Sequence, residues 1–315
     1  MHCFKKIFQN DFEIIQLMNN IVSVEIVVNI GNTLFSLKSD DDEKLYFPFT
    51  LNEYKTNFKL AGNPFMHPWA NRLEGEYLRI ENTKHDFPKQ LLHLLYRDGN
   101  NLPLHGLLLK SDKWKTVELN ENENSCYHVA AFIFENEDFL SIFPFKHKIF
   151  MKHLLQGSEL KVETTIINED EKEMPLSFGF HPYFLKSQKN MCLKIPANEV
   201  IEVNNNMIPT GTSVDKSVKW NFNGDEISLE NNVFDDGFQN LSFENDIAEF
   251  QLNNIKVQFD KNYPFAQIYA PSHPDKWYVC IEPMTAATNA LNKNSCKTLK
   301  QGEKITASFS ISLNT

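Results

Sequence analysis

Arginine, cysteine and glycine are scarce in this chain, and long apolar runs are missing. Of 315 residues, 31 are basic and 41 acidic, which gives a formal net charge of −10, and only three of the basic residues are arginine. Nucleic acids and anionic membrane surfaces require a basic face. The composition therefore excludes both as partners. No stretch of about 18 apolar residues occurs, so the sequence predicts no transmembrane helix.

The five cysteines are odd in number and none forms a CxxC pair. This pattern argues against a disulfide framework and against a zinc–thiolate site. We therefore expect no metal centre. The first residues, 1–13, mix lysines with polar residues and lack the apolar core of a signal peptide. These features predict a cytoplasmic protein.

Phenylalanine is abundant, with 26 residues, and favours the half-buried surfaces of sheets. Apolar and polar residues alternate with a period of two in segments 21–28, 160–166, 255–259 and 307–313. Such alternation is typical of antiparallel strands with one wet face. Strand–helix alternation, linkers and repeats are missing. The sequence predicts an all-β fold, a large antiparallel β-sandwich in which residues 1–315 form a single domain.

Two short segments are harder to assign. Residues 89–95 follow a proline and suit a short helix, but their leucines equally suit a loop cluster. The polar residues 121–125 are few enough to form a hairpin loop.

Segment 63–75 interrupts the strand pattern and contains Trp69, Asn71 and Arg72. A guanidinium has forked donors that suit neighbouring sugar hydroxyls, and an indole ring offers an apolar platform for a sugar face. The alternative is a structural arginine that ties down a loop, and the segment alone does not decide between them.

Two histidines lie in turn-forming contexts. His105 precedes Gly106, whereas His181 lies within 178–184, an aromatic turn that is fixed by glycine and proline. A histidine in an apolar rim is a candidate proton donor. Each is also compatible with a hydrogen-bonded core histidine.

Glu282 is the best candidate for a general base. It ends the apolar run 278–281 and precedes Pro283, which we expect to end the strand and fix the carboxylate's direction. Carboxylates are rarely buried without a partner, so Glu282 has either a partner or a chemical role. The alternative is an exposed glutamate at a strand end.

Taken in order, these segments resemble the aldose 1-epimerase (galactose mutarotase) family. The matching residues are Asn71, Arg72 and Gly75, then His105-Gly106, then 179–184 (Gly-Phe-His-Pro-Tyr-Phe), then 280–285 (Cys-Ile-Glu-Pro-Met-Thr). Each motif alone is loose, but four in sequence order make a chance match improbable. The resemblance covers the chain from about residue 63 to its end.

The resemblance implies a galactose mutarotase-like supersandwich and a cofactor-independent isomerase that interconverts the α and β anomers of free aldohexoses. In this interpretation Glu282 is the base and His181 the acid, while Arg72, His105 and Asn71 bind the sugar. The family's sugar-binding Asp-x-x-Phe pattern matches at Asp235, with Asp236 one residue away. The partner is a small sugar, and the protein is expected to be a monomer or a homodimer.

Unperturbed pKa values of about 4.3 for Glu and 6.5 for His leave the glutamate ionised and the histidine mostly neutral at pH 7. We therefore expect a nearby carboxylate to raise the pKa of His181, if it is to donate a proton.

Three other functions stay open from the sequence. A hexose-6-phosphate 1-epimerase would need a cationic cradle, and Arg79 and Arg97 lie outside the motifs. A non-catalytic carbohydrate-binding protein would need neither Glu282 nor His181. A glycosidase or lyase would pair Asp235 with Glu282 across the scissile bond.

Overall fold

Strands dominate the computed structural model, which describes residues 2–186, 191–230, 232–271 and 277–313. In the first third of the chain the strands are β1 (Cys3–Gln9), β2 (Phe12–Met18), β3 (Val22–Val27), β4 (Thr33–Ser39), β5 (Asp42–Glu43), β6 (Phe65–Met66), β7 (Tyr77–Ile80), β8 (Thr83–Asp86), β9 (Tyr96–Arg97) and β10 (Pro103–Leu104). In the middle third they are β11 (Lys115–Glu121), β12 (Cys126–Phe134), β13 (His147–Gln156), β14 (Glu159–Asn168), β15 (Met174–Leu176), β16 (Gly179–Phe180), β17 (Tyr183–Leu185), β18 (Cys192–Lys194), β19 (Ala197–Val203) and β20 (Pro209–Asp215). In the last third they are β21 (Glu226–Ser228), β22 (Phe234–Leu241), β23 (Ile247–Leu252), β24 (Ile255–Asp260), β25 (Phe265–Ala270), β26 (Tyr278–Met284), β27 (Lys297–Leu299) and β28 (Lys304–Leu313).

Helices are short, and none in the described ranges is long and apolar enough to span a membrane. They are α1 (Leu51–Thr56), α2 (Glu137–Leu140), α3 (Lys216–Lys219) and the 3₁₀ helices Lys89–Leu94 and Ala290–Lys293. At the start of α1 the Thr50 hydroxyl accepts a hydrogen bond from the Glu53 N–H, and the Glu53 carboxylate accepts one from the Thr50 N–H. This capping box satisfies two N–H groups that a helix end otherwise leaves unpaired.

The strands form three large antiparallel sheets. One has the order β1-β2-β3-β4-β5, and the second has the order β11-β12-β13-β14-β28-β24-β23-β18-β21. The third has the order β20-β19-β22-β25-β26-β16-β6, with β17 also paired to β26. Two-stranded ribbons (β7-β8, β9-β10 and β15-β27) complete the arrangement.

The nine-stranded and eight-stranded sheets pack face to face. Phe180 of β16 contacts Phe309 of β28, with ring centroids 4.9 Å apart, and Phe178 packs edge-on against Tyr263 at 5.7 Å. The same cluster of buried apolar side chains takes in Ile15 and Val24 from the five-stranded sheet. This shared core supports the expectation of one domain, which stays a prediction.

The predicted all-β, antiparallel β-sandwich is confirmed, and the four alternating segments lie in β3, β14, β24 and β28. In β14 every second residue from Leu160 to Asn168 is buried, as the alternation requires. Of the predicted hairpin loop 121–125, Glu121 ends β11 and residues 122–125 connect it to β12. Residues 89–94 form a 3₁₀ helix rather than a loop cluster.

Phe309→Ala is expected to lower the free energy of unfolding by about 3–5 kcal/mol, because the ring lies between the two sheets and its removal leaves a cavity. The matched control is Phe8→Ala. Phe8 is 71% exposed, so its loss should change stability by no more than about 0.5 kcal/mol. Urea unfolding of both variants measures the difference. Equal effects would contradict the placement of Phe309 in the inter-sheet core.

Candidate active site

A cavity of about 680 Å³ opens on the eight-stranded sheet, on the side away from the inter-sheet core. All six residues that the sequence singled out line it: Asn71, Arg72, His105, His181, Asp235 and Glu282. These residues come from segments far apart in the chain, and the fold brings their side chains to one cavity.

Glu282 lies inside β26, whose seven residues are all buried. Its strand neighbour in β25 is Gln267, and its side chain is only 1% exposed. The expectation that Pro283 ends the strand is wrong, because β26 continues through Met284. On one side of β26 the partner strand is β17 as far as Cys280 and β16 at Met284. Pro283 lies between these two pairings with its carbonyl facing Gly179, so its missing N–H interrupts neither of them.

His181 follows β16 directly, and its N–H donates to the Pro64 carbonyl at 3.1 Å. Its ring stacks on that of Tyr183, with centroids 4.4 Å apart and planes 5° from parallel. His181 Nε2 lies 3.2 Å from Glu282 Oε1 and 3.4 Å from the Tyr183 hydroxyl oxygen. The two candidate proton-transfer groups are therefore in direct contact.

Burial sets the protonation of this pair. It raises the pKa of Glu282 well above its usual value, an effect that Asp235 reinforces and Arg72 opposes. It also lowers the pKa of His181 to about 3. The carboxylate that we expected beside His181 is Glu282, but the expected rise in the pKa of His181 does not occur, because burial and then the Arg72 charge lower it.

His105 owes its position to unusual backbone. His105 has φ 61° and Gly106 φ 77°, and a Cβ on Gly106 would lie 2.1 Å from the His67 carbonyl oxygen. Only glycine allows this approach. The His105 N–H donates to the Asn71 carbonyl at 2.9 Å, and its ring stands edge-on to His181 at 5.0 Å. Burial lowers the pKa of His105 well below 6.5, so its ring is neutral.

Arg72 lies between two carboxylates. Its Nε donates to Asp98 at 2.8 Å, and one terminal nitrogen donates to Asp235 at 3.2 Å. The other terminal nitrogen donates to the Asn71 side-chain oxygen at 3.0 Å. Arg72 thus ties a loop, as the structural alternative expected, and it also lines the cavity.

Strand alternation in β22 places Asp235 and Asp236 on opposite sides of the sheet. Asp235 faces the cavity and accepts a hydrogen bond from Gln267 at 2.7 Å. Asp236 points to the opposite side, where it is 6% exposed and pairs with Lys219 of α3.

Other residues depart from the sequence interpretation. Trp69 is not a sugar platform, because it is 1% exposed and packs against Phe87 in the core. Arg97, which lies outside the motifs, lines the cavity. Asp98 and Gln267 also line it and were missed, since neither belongs to a recognisable motif. The described ranges contain no cluster of three or more His, Cys, Asp or Glu side chains that would hold a metal ion.

Solved structures define the fold class. The chain is similar to a galactose mutarotase-like protein from Clostridium acetobutylicum, with 20% identity, coverage of 99% of this chain and 97% of that one, and a TM-score of 0.83. It is also similar to a galactose 1-epimerase from Lactobacillus acidophilus NCFM, with 16% identity, 99% and 98% coverage and a TM-score of 0.79. The fold is therefore of the galactose mutarotase-like class, as the resemblance predicted.

The family follows from the sequence itself. Residues 13–312 match the model of the family described as aldose 1-epimerase. The chain belongs to this family, and the resemblance drawn from the four motifs is confirmed. Membership makes the protein an isomerase of the sugar-epimerase type that acts on a small sugar.

Proposed function

We propose that the protein is a cofactor-independent mutarotase that interconverts the α and β anomers of free aldohexoses. The observation that carries the proposal is the contact between buried His181 and Glu282, 3.2 Å apart, on the wall of a cavity large enough for a sugar. A base and an acid in one cavity are what hemiacetal opening requires.

Ring opening begins when the Glu282 carboxylate takes the proton of the C1 hydroxyl and protonated His181 gives a proton to the ring oxygen. The bond between C1 and the ring oxygen breaks as the C1 carbonyl forms. After rotation about the C1–C2 bond, the ring closes on the other face of C1 and both protons return. His105 is the alternative acid, since it lies beside His181 in the same cavity.

The His181–Glu282 pair needs only one proton to begin ring opening. A neutral pair, with the proton on Glu282, and an ion pair, with the proton on His181, differ by transfer across the 3.2 Å contact. Both hold the same number of protons and share one pH dependence. Burial favours the neutral pair, and the ion pair is the form that opens the ring in the direction proposed.

Sugar hydroxyls would be held by Arg72, Asp235, His105 and Asn71. The Asp235 carboxylate has acceptor capacity beyond the hydrogen bonds from Arg72 and Gln267. Tyr46, Tyr96 and Tyr269 also line the cavity, and aromatic rings offer flat apolar surfaces to the C–H faces of a sugar.

A hexose 6-phosphate is the second candidate substrate, because Lys59 and Arg97 line the same cavity. The arginines already have hydrogen-bond and ion-pair partners, which favours a free sugar over a sugar phosphate as the substrate. Arg97 already pairs with Glu76 at 2.6 Å and with the Asn101 carbonyl at 2.8 Å, and Arg72 is held by two carboxylates. Lys59 alone makes a weak phosphate cradle.

The purified protein is expected to accelerate the approach of fresh α-D-glucose or α-D-galactose to equilibrium optical rotation. Polarimetry against a small panel of sugars that includes hexose 6-phosphates tests this. Acceleration of the phosphates alone would select the second candidate, and no acceleration of any aldose would contradict both.

In the same assay Glu282→Gln should lower kcat by about 10²–10⁴-fold, because the amide cannot accept the proton, while sugar binding stays largely intact. His181→Asn should behave alike. The control is Glu163→Gln, a strand glutamate that pairs with Lys161 and does not line the cavity. A Glu282→Gln variant with a near wild-type rate would remove Glu282 from the mechanism, and an active His181→Asn variant would reassign the acid to His105.

The pH profile should report one shared proton. Because the pKa of His181 is lowered to about 3, a second proton binds only near that pH; because the pKa of Glu282 is raised, the first is lost only well above 4.5. The acid limb of kcat/KM should therefore lie near pH 3 instead of near 4.3, and the basic limb should follow the raised pKa of Glu282 instead of the 6.5 of an ordinary histidine. Anomer exchange measured by NMR, with the spontaneous rate subtracted, gives the profile. An acid limb centred near pH 4.3 would contradict the shared proton.

Asp235→Asn and Asp236→Asn form a matched pair of neighbours on opposite sides of β22. Asp235→Asn should raise KM about ten-fold, the cost of one charge-assisted hydrogen bond to the sugar. Asp236→Asn should leave KM and kcat unchanged and lower stability by about 1–3 kcal/mol, because it removes the charge of a buried carboxylate that pairs with the partly exposed Lys219. Steady-state kinetics and thermal unfolding separate the two, and the reverse pattern would make Asp236 the sugar ligand.

A further inference from the structure

Asp98 has the most densely bonded carboxylate beside the cavity outside the residues already assigned. It lies in the turn between β9 and β10, and its side chain is 5% exposed. One oxygen, Oδ1, accepts hydrogen bonds from the N–H groups of Asn100 at 2.9 Å and Leu102 at 2.8 Å. These bonds fix the carboxylate to its own turn.

The other oxygen of Asp98 is committed to Arg72. Oδ2 accepts the hydrogen bond from Arg72 Nε at 2.8 Å, so the inner edge of the guanidinium faces Asp98. The two terminal nitrogens of Arg72 point toward Asn71 and Asp235 on the cavity wall. Because a guanidinium is planar, fixing Nε also fixes the direction of both terminal nitrogens.

The main chain joins the same two segments. Leu104 forms a bridge with Arg72, the Leu73 N–H donates to the Pro103 carbonyl at 3.0 Å, and the His105 N–H donates to the Asn71 carbonyl. The backbone of Arg72 is thus held against the strand that leaves the Asp98 turn. Asp98 then determines where the side chain points relative to that fixed backbone.

Asp98 also competes with Asp235 for the guanidinium. Without Asp98, the nearest carboxylate for Arg72 is Asp235, which lies 3.2 Å away and is more exposed, at 32% of its side chain. A guanidinium that turned fully onto Asp235 would form a bidentate pair. Both Asp235 oxygens would then be occupied and fewer acceptors would remain for a sugar.

We propose that Asp98 is a positioning residue for sugar binding, which limits the Arg72 guanidinium to a single hydrogen bond with Asp235 so that both side chains keep hydrogen-bonding groups for the substrate. This inference rests on the proposed function, because it concerns how the same cavity binds its sugar. Asp98 touches neither Glu282 nor His181 in the contacts described, so its effect falls on binding rather than on proton transfer.

The test is Asp98→Asn, followed by polarimetric kinetics with the preferred aldose. The side-chain oxygen can still accept from the turn, but the amide nitrogen meets the Arg72 N–H donor to donor. KM should rise about ten-fold while kcat stays within about three-fold of wild type, the pattern of lost uniform binding. Asp98→Glu keeps the charge but displaces the carboxylate by one methylene, so it should also raise KM, and it serves if Asp98→Asn fails to fold.

A double-mutant cycle shows whether Asp98 acts through Arg72. In an Arg72→Gln background Asp98→Asn should change KM less than two-fold, since the group that it positions is gone. The control is Glu76→Gln, which removes the other ion pair of the same hairpin, that of Arg97, and should leave KM unchanged.

Several results would overturn the inference: an unchanged KM in a folded Asp98 variant, an equal rise in Glu76→Gln, or an additive effect in the Arg72→Gln background. Failure of the proposed function is distinct, since it appears as a wild-type protein that does not accelerate anomer exchange. In that case the dissociation constant of D-galactose, measured by calorimetry on the same variants, decides the positioning role. Absence of sugar binding by the wild type would overturn it as well.

Discussion

The pairing of β26 with strands on both of its sides is the constraint from which the site follows. On one side β25 sets Gln267 opposite Glu282, and on the other side β16 and β17 flank the turn that contains His181. The Glu282 carboxylate is only 1% exposed, and burying a carboxylate uncompensated is costly. The contact between Glu282 and His181 reduces this cost, because a pair that shares one proton has no net charge.

Much of the fold was predictable because it depends on local periodicity. Alternating residues in β14 and β24 identify half-buried strands without any knowledge of their partners. The four motifs contain five of the six site residues and the Asp-x-x-Phe pattern adds Asp235, and the structure brings all six to one cavity. Their chemical roles stay proposals, since contact and burial describe a geometry and not a reaction.

What the sequence did not predict depends on long-range contacts. Pro283 was expected to end its strand, but a gap between two partner strands accommodates the missing N–H. Trp69 has the composition of a sugar platform and is instead covered by Phe87. Asp98 looks like an ordinary turn aspartate, and only the fold reveals that its second oxygen meets Arg72. The lowered pKa of His181 was also missed, because desolvation depends on the whole surrounding sheet.

The place of β28 in the nine-stranded sheet has a consequence for biosynthesis. This strand, Lys304–Leu313, is inserted between β14 and β24, and it pairs with β14 along most of its length and with β24 over Phe309–Leu313. Until it has been translated, β14 and β24 each have an open edge, and Phe180 lacks its partner Phe309. The sheet therefore closes only once this strand has left the ribosome. Until then the nascent chain must keep the open edges of β14 and β24 from pairing with other molecules.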